Sequence, residues 1–230
     1  SRPPMGANVV AGGVEFRVWA PEARGIAVEI EGRPHTPLAR DGDGVWSGLV
    51  PGIAAGTRYR YRIDDRWGYP DPYSRSQPEG PHGPSEVIHA AEYTWHDGGW
   101  SGLTAQGLAI YELHVGTYTL EGTFDALIAQ LDAIAQLGVT AIELMPIAEF
   151  PGARNWGYDG VDLFAPSHVY GGPAALKRLV DAAHQRGLGV LLDVVYNHLG
   201  PDGNYLPQFA RDYFTSRHET RWGDAINYDG

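Results

Sequence analysis

Residues 188 to 198, Leu-Gly-Val-Leu-Leu-Asp-Val-Val-Tyr-Asn-His, decide how the rest of this chain is read. Six of the first eight are apolar, Gly189 and Asp193 being the exceptions, which is the near-continuous pattern of a parallel strand covered on both faces. The carboxyl end then turns polar, with Tyr196, Asn197 and His198 in succession. Parallel α/β sheets and barrels present their ligand sites outside the carboxyl ends of their strands, so this tip is a candidate site.

Working outward, the chain from Leu108 alternates strand and helix. Leu108 to Val115 has the composition of a first strand, Val139 to Met145 of a second, closed by Pro146, and the opening stretch is the third. Between the first two, Thr123 can cap a helix with Asp125 in its first turn and Leu127, Leu131, Ile134 and Ala135 on one face, ending at Gly138. A second helix is expected from near Pro173 to Gly187, with Leu176, Leu179, Val180 and Ala183 on its apolar face. This alternation predicts βαβ units with right-handed crossovers. The segment Ile147 to Gly172, with Asn155-Trp156-Gly157-Tyr158-Asp159-Gly160 inside it, is long for a plain connection and is expected to build a site or lid. From His198 to Gly230 periodicity is lost, and Tyr205, Phe209, Tyr213, Phe214 and Trp222 suggest an excursion after the third strand.

Residues 13 to 64 read instead as short alternating strands. Val14, Phe16 and Val18 alternate with Glu15 and Arg17; Ile26, Val28 and Ile30 with Ala27 and Glu29; and Tyr59 and Tyr61 with arginines, and Asp41-Gly42-Asp43-Gly44 is a turn. The expectation is a small, immunoglobulin-like β-sandwich with Trp19, Trp46, Tyr59 and Tyr61 in its core or at its edge. Residues 65 to 107, rich in Pro and Gly, read as a segment packed across two domains, with Trp67, Tyr73, Trp95 and Trp100 as apolar anchors. The domains are therefore placed at 1–90 and 91–230.

The composition narrows the partners. A formal net charge of −11, from 28 acidic and 17 basic residues in 230, disfavours nucleic acid and anionic membranes. There is no cysteine for a disulfide or thiolate metal site, no membrane-length apolar run and no signal-like start, so a cytoplasmic location is expected. No phosphate loop or His/Glu zinc spacing is present.

Asp193-Val194-Val195-Tyr196-Asn197-His198 resembles a motif of the third barrel strand in the α-amylase family of glycoside hydrolases, and Gly138 to Pro146 resembles that family's second-strand motif. Phe16-Arg17-Val18-Trp19-Ala20-Pro21 is similar to the β domain that precedes the barrel in branching, debranching and trehalose-forming members. The series Pro70 to Pro78, His82 to Ser85, Tyr111 to Thr117, Glu121 to Phe124 and Trp156 to Gly160 is similar, within the family, to the maltooligosyltrehalose trehalohydrolases. The resemblance covers nearly the whole chain. It implies a TIM (β/α)8 barrel, retaining cleavage of the α-1,4 bond beside the trehalose end of a maltooligosyl trehalose, and release of trehalose; another α-1,4-glucan is the broader substrate class.

Retaining hydrolysis uses two carboxyl groups about 5–5.5 Å apart. The resemblance places them on strands four and five, with a further Asp after strand seven, so no residue of this chain is expected to be catalytic. For the residues present it implies that His198 contacts the sugar on the non-reducing side of the cleaved bond, that Tyr158 stacks under that sugar, and that Asp193 supports the site. Asp159 either accepts from sugar hydroxyls or caps its turn. Trp156 is expected to pack the loop, His114 either faces the cleft or is satisfied structurally, and Glu143 likewise either faces the cleft or is a buried, paired carboxylate. Asn197 matches a calcium ligand of many α-amylases, but the trehalohydrolase resemblance argues against a metal and none is expected. A barrel takes about 250 residues, whereas only about 120 follow Leu108. The expectation is a fragment whose first three barrel strands need the remainder of the barrel. Two alternatives stand beside the hydrolase: a glycogen branching enzyme and, were the natural chain to end at Gly230, a non-catalytic glucan-binding module.

Overall fold

A computed structural model describes residues 3–229. The first strands are β1 (Gly6–Val10), β2 (Gly13–Trp19), β3 (Ile26–Glu29), β4 (Thr36–Pro37), β5 (Ala39–Arg40), β6 (Val45–Pro51), β7 (Arg58–Ile63), β8 (Gly68–Tyr69) and β9 (Ser85–Glu86). They form two antiparallel sheets, β1-β2-β6-β5 and β4-β3-β7-β8, with β9 also on β7. The alternation in the sequence sets what faces inward: Val14, Phe16 and Val18 from one sheet meet Ile26, Val28, Tyr59, Tyr61 and Ile63 from the other in one core. Phe16 and Tyr59 pack edge to face at 4.8 Å. The Asp41 turn forms as expected, its Oδ1 accepting from Asp43 N and Val45 N at 3.0 Å each.

The Pro-rich segment is held differently from expectation. Trp67 is 85 % exposed and anchors nothing, because Asp64 and Asp65, both with positive φ, make the tight turn that throws it outward between β7 and β8. The fastening is polar. Buried Asp71 accepts from Tyr59 OH at 2.6 Å and Tyr73 N at 2.8 Å, while its own N–H donates to Ser85 Oγ at 2.9 Å. Further on, Trp100 does act as an anchor, stacked on His184 with centroids 4.6 Å apart.

The second half holds β10 (Ile110–Leu113), β11 (Ala141–Leu144), a hairpin of β12 (Ala148–Glu149) and β13 (Asp162–Pro166), and β14 (Gly189–Leu192), with helices α1 (Val115–Tyr118), α2 (Phe124–Ile128), α3 (Leu131–Gln136) and α4 (Gly172–His184). Strands β10, β11 and β14 make a parallel sheet in that order, the expected βαβαβ start of a barrel. Leu113, Ile142 and Leu144 meet Leu127, Leu131, Ile134 and Leu179 in a second core. Thr123 caps α2, its side chain accepting from Ala126 N at 3.2 Å. The single helix expected after it is broken at Ala129–Gln130, where Gln130 N turns to the closer Leu127 carbonyl, yet Leu127, Leu131 and Ile134 stay on the buried side.

One expectation changes. On α4, Asp181 is buried and Val180 is not, because Tyr93 OH and the His96 backbone and ring all bond to the Asp181 carboxylate. In the third strand, Val190 and Leu192 pair with Ile142 and Leu144 on the helix-facing side of the sheet.

The excursion contains α5 (Leu206–Phe209) and a hairpin of β15 (Phe214–Glu219) and β16 (Asp224–Ile226). It does not hang free, for Phe209 enters the sandwich core.

Burial pushes the Asp71 carboxyl up to about 6, although Tyr59, the Tyr73 N–H and Arg75 all act to lower it. An unfolded Asp titrates near 3.9, so the folded state holds the proton more tightly; the stabilisation from this group is complete below about pH 4 and is lost as the pH rises through about 6. Asp71→Asn removes that dependence. In urea unfolding of the full-length protein, the parent is expected to lose stability relative to the variant between about pH 4.5 and about pH 7.5; a difference independent of pH would contradict the assignment.

Candidate active-site cleft

The site is built where the carboxyl ends of β11 and β14 meet the long loop that follows β11. Glu112, Glu143 and Leu191 are register partners across the three strands. Asp193 continues the same face two residues beyond Leu191, its N–H still donating to Leu144 O at 2.9 Å. The opposite face carries Ile142 and Leu144 against the helices, so Glu112, Glu143 and Asp193 line the side turned away from them. Glu143 is half-buried and, among the described residues, makes no hydrogen bond or ion pair.

The loop crosses this strand end at very close range. Gly157 has φ +102°, and a Cβ there would lie 2.1 Å from the Pro146 carbonyl oxygen, so only glycine fits. Asn155 rivets the turn: its Oδ1 accepts from Gly157 N at 2.7 Å and its Nδ2 donates to Asp159 Oδ2 at 3.1 Å. The Asp159 carboxylate thus holds the Asn155 side chain that caps the turn.

The crossing brings Tyr158 over the strand tip, where its hydroxyl donates to Asp193 Oδ2 at 2.9 Å. That bond, burial, and the nearby charges of Asp193, Glu112 and Glu143 all raise the Tyr158 pKa, so the phenol stays protonated as a donor. His198 is 5 % exposed and closes the join from below. Asn197 Nδ2 donates to its Nδ1 at 2.9 Å, which leaves the proton on Nε2, and Nε2 donates to Tyr158 O at 3.0 Å. Gly200 N donates to Gly160 O at 3.1 Å, and a Cβ on Gly200 would stand 2.2 Å from Asp159 O. Loop and strand tip are thereby zipped along Tyr158 to Gly160. In this arrangement the protein occupies both His198 nitrogens, and a sugar hydroxyl must displace the Tyr158 carbonyl to reach Nε2.

Just before the Gly157 crossing, the loop meets His114 at the end of β10, with Trp156 beside it. His114 Nε2 faces Asn155 O at 2.7 Å, Nδ1 faces Thr117 Oγ1 at 3.0 Å, and the Trp156 ring lies 4.9 Å away. Both border an open pocket of about 610 Å³ with Glu121 and Arg154. His114 thus has structural partners, and Trp156 is 62 % exposed beside it. At the root of the loop, Glu149 and Asp162 oppose each other across β12–β13. His168 N and Nδ1 compensate Glu149 at 2.7 and 2.8 Å, whereas buried Asp162 has an unpartnered oxygen, and burial followed by the facing Glu149 raises its pKa. Trp222, read from sequence only as an excursion aromatic, stands 6.4 Å from the His198 ring. Nothing in its local pattern marked that contact.

Calcium takes six to eight oxygens. Among the described residues no three carboxylates or imidazoles converge on one point, and the Asn197 amide is turned to His198.

Residues 68–224 match the family model of the α-amylase catalytic domain. The chain belongs to the α-amylase family. Residues 4–77 match the model of carbohydrate-binding module 48, the isoamylase N-terminal domain. The chain is 46 % identical over 217 residues to a malto-oligosyltrehalose trehalohydrolase of Saccharolobus solfataricus, covering 94 % of this chain and 38 % of that protein. It is 33 % identical to the 1,4-alpha-glucan branching enzyme of Corynebacterium jeikeium, covering 97 % of this chain and 34 % of the enzyme. A Salmonella typhimurium crystal structure assigned to the α-amylases superposes with a TM-score of 0.93 at 45 % identity, over 98 % of this chain and 38 % of that one. The chain thus spans well under half the length of these α-amylase-family relatives.

Within this α-amylase-family cleft, the Gly157 crossing is expected to be the least tolerant point. In the full-length protein Gly157→Ala should cost about 1–3 kcal/mol of strain and lower kcat/KM roughly tenfold to a hundredfold by displacing Tyr158. Tyr158→Phe, which keeps the ring and loses only the Asp193 bond, should cost about 1 kcal/mol, roughly fivefold. Steady-state kinetics on an α-1,4-glucan checks both, and a silent Gly157→Ala would contradict the geometry.

Proposed function

We propose that this chain is part of a retaining glycoside hydrolase that cuts the α-1,4 bond next to the trehalose end of a maltooligosyl trehalose and releases trehalose. The observation that carries the reading is the difference in similarity over nearly the same span: the trehalohydrolase is clearly closer to this chain than the branching enzyme. In the proposed reaction the nucleophile and the acid/base are the two carboxylates about 5–5.5 Å apart that double displacement requires, supplied from strands four and five of the complete barrel.

The residues present bind and orient. Tyr158 offers its ring to the apolar face of the sugar on the non-reducing side, and Asp193 fixes the ring by accepting a hydrogen bond from its hydroxyl. His198 passes its Nε2 hydrogen bond from the Tyr158 carbonyl to a sugar hydroxyl when the cleft fills. Asn197 keeps the imidazole in the tautomer that can donate, and Asp159 holds the loop through Asn155. Trp156 and His114 support the loop from its far side. The reading includes no metal, a cytoplasmic location, and a domain boundary near residue 90; among the described residues no helix is long and apolar enough to cross a membrane.

The test is trehalose release from maltotriosyl trehalose by the full-length gene product, with maltopentaose as control. Rapid release from the first and little cleavage of the second is the expected result. No trehalose, together with new branches on amylose, would replace this reading with the branching enzyme, whose similarity to the chain also spans nearly its whole length.

A further inference from the structure

The excursion after the strand tip is fastened at both ends. On one side Phe209 is 2 % exposed in the sandwich core, its ring 6.1 Å from Tyr61 and 6.4 Å from Tyr69. Tyr213 shares a hydroxyl hydrogen bond with Tyr73 and packs 5.2 Å from Trp19. On the other side the β15–β16 hairpin meets the polar tip: Ile226 N donates to Asn197 O at 3.4 Å, Tyr228 OH donates to Tyr196 O at 2.7 Å, and Trp222 faces His198.

The hairpin has little to hold it by itself. A two-stranded hairpin is marginal in water; this one has a register shift between Thr215 and Glu219, and Ala225 is its one buried apolar residue among those described. Its bonds to the strand tip are polar and partly exposed. The apolar burial that fixes the excursion comes from the sandwich side.

We propose that Phe209 is a positioning residue for the sugar-binding tip: through it the sandwich acts as the rigid support that sets where the β15–β16 hairpin, and Trp222 on its turn, stands over His198. The sandwich thus has a part in the cleft without touching sugar. The inference rests on the proposed function for the identity of the saccharide only.

The experiment compares Phe209→Ala, Phe209→Leu and Val14→Ala in the full-length enzyme. Val14 is buried in the same core on β2 and serves as a control for general loosening of the sandwich. Steady-state kinetics is read with amide exchange over residues 214–226. Phe209→Ala is expected to raise KM roughly tenfold with kcat nearly unchanged and to speed exchange in the hairpin; Phe209→Leu should recover most of both, and Val14→Ala should move neither. An unchanged KM in folded Phe209→Ala overturns the proposal, as does an equal rise in Val14→Ala. Should Phe209→Ala fail to fold, Tyr213→Phe, which removes only the hydroxyl link to Tyr73, should raise KM roughly threefold, and no change overturns the proposal. If the parent cleaves another α-glucan but releases no trehalose, the function reading fails, and KM for that glucan still tests the support.

Discussion

The Pro146 carbonyl oxygen and the bare α-carbon of Gly157 set the terms for the rest of the cleft. With a Cβ position 2.1 Å from that oxygen, the loop crosses the end of β11 as closely as a backbone can. The closeness brings the Tyr158 hydroxyl within reach of Asp193 on the neighbouring strand and the Tyr158 carbonyl within reach of His198. A second close approach, Gly200 against Asp159 O, extends the join by one more backbone bond. The flat ring is thereby held by main-chain geometry on both sides of Tyr158 and needs little from its own side-chain packing, which leaves it 40 % exposed to meet a ligand.

The charges follow from the same architecture. Glu112, Glu143 and Asp193 crowd the face turned away from the helices, keeping the Tyr158 phenol a donor, and a net charge of −11 makes the surface a poor host for anions. A neutral, hydroxyl-rich ligand suffers no such repulsion and can give hydrogen bonds to carboxylates. Elsewhere the acidic residues are a liability: Asp71 and Asp162 are buried, and burial raises the pKa of each. Asp71 is the better compensated, by the Tyr59 hydroxyl and the Tyr73 N–H, and in return it ties the Pro-rich segment to β7.

Much of this was legible in the sequence because the signals are local. Alternation at Val14, Phe16 and Val18 marked a sandwich strand, and the Thr123 cap marked a helix start. The apolar run ending in Tyr-Asn-His marked a strand tip with a site. What was illegible depends on contacts across long stretches of chain. An aromatic excursion could not reveal that Phe209 completes the core of a domain begun far upstream. Trp67 misled because an exposed tryptophan and an anchoring one look alike in composition; the difference lies in a turn with two positive-φ aspartates. His198 was identified by residue type, but its bonds to Asn197 and the Tyr158 carbonyl belong to the fold.

In the proposed function, the zipped loop and strand tip form a sugar platform that opens one hydrogen bond to its ligand. The most direct measurement is a crystal structure of the full-length protein, with its nucleophile disabled, bound to a maltooligosyl trehalose. The expected result is a glucose ring lying flat on Tyr158 at van der Waals distance, Tyr158 still bonded to Asp193, and His198 Nε2 moved from the Tyr158 carbonyl to a sugar hydroxyl. A saccharide bound elsewhere, or one leaving the His198–Tyr158 bond intact and the Tyr158 ring uncovered, would contradict it.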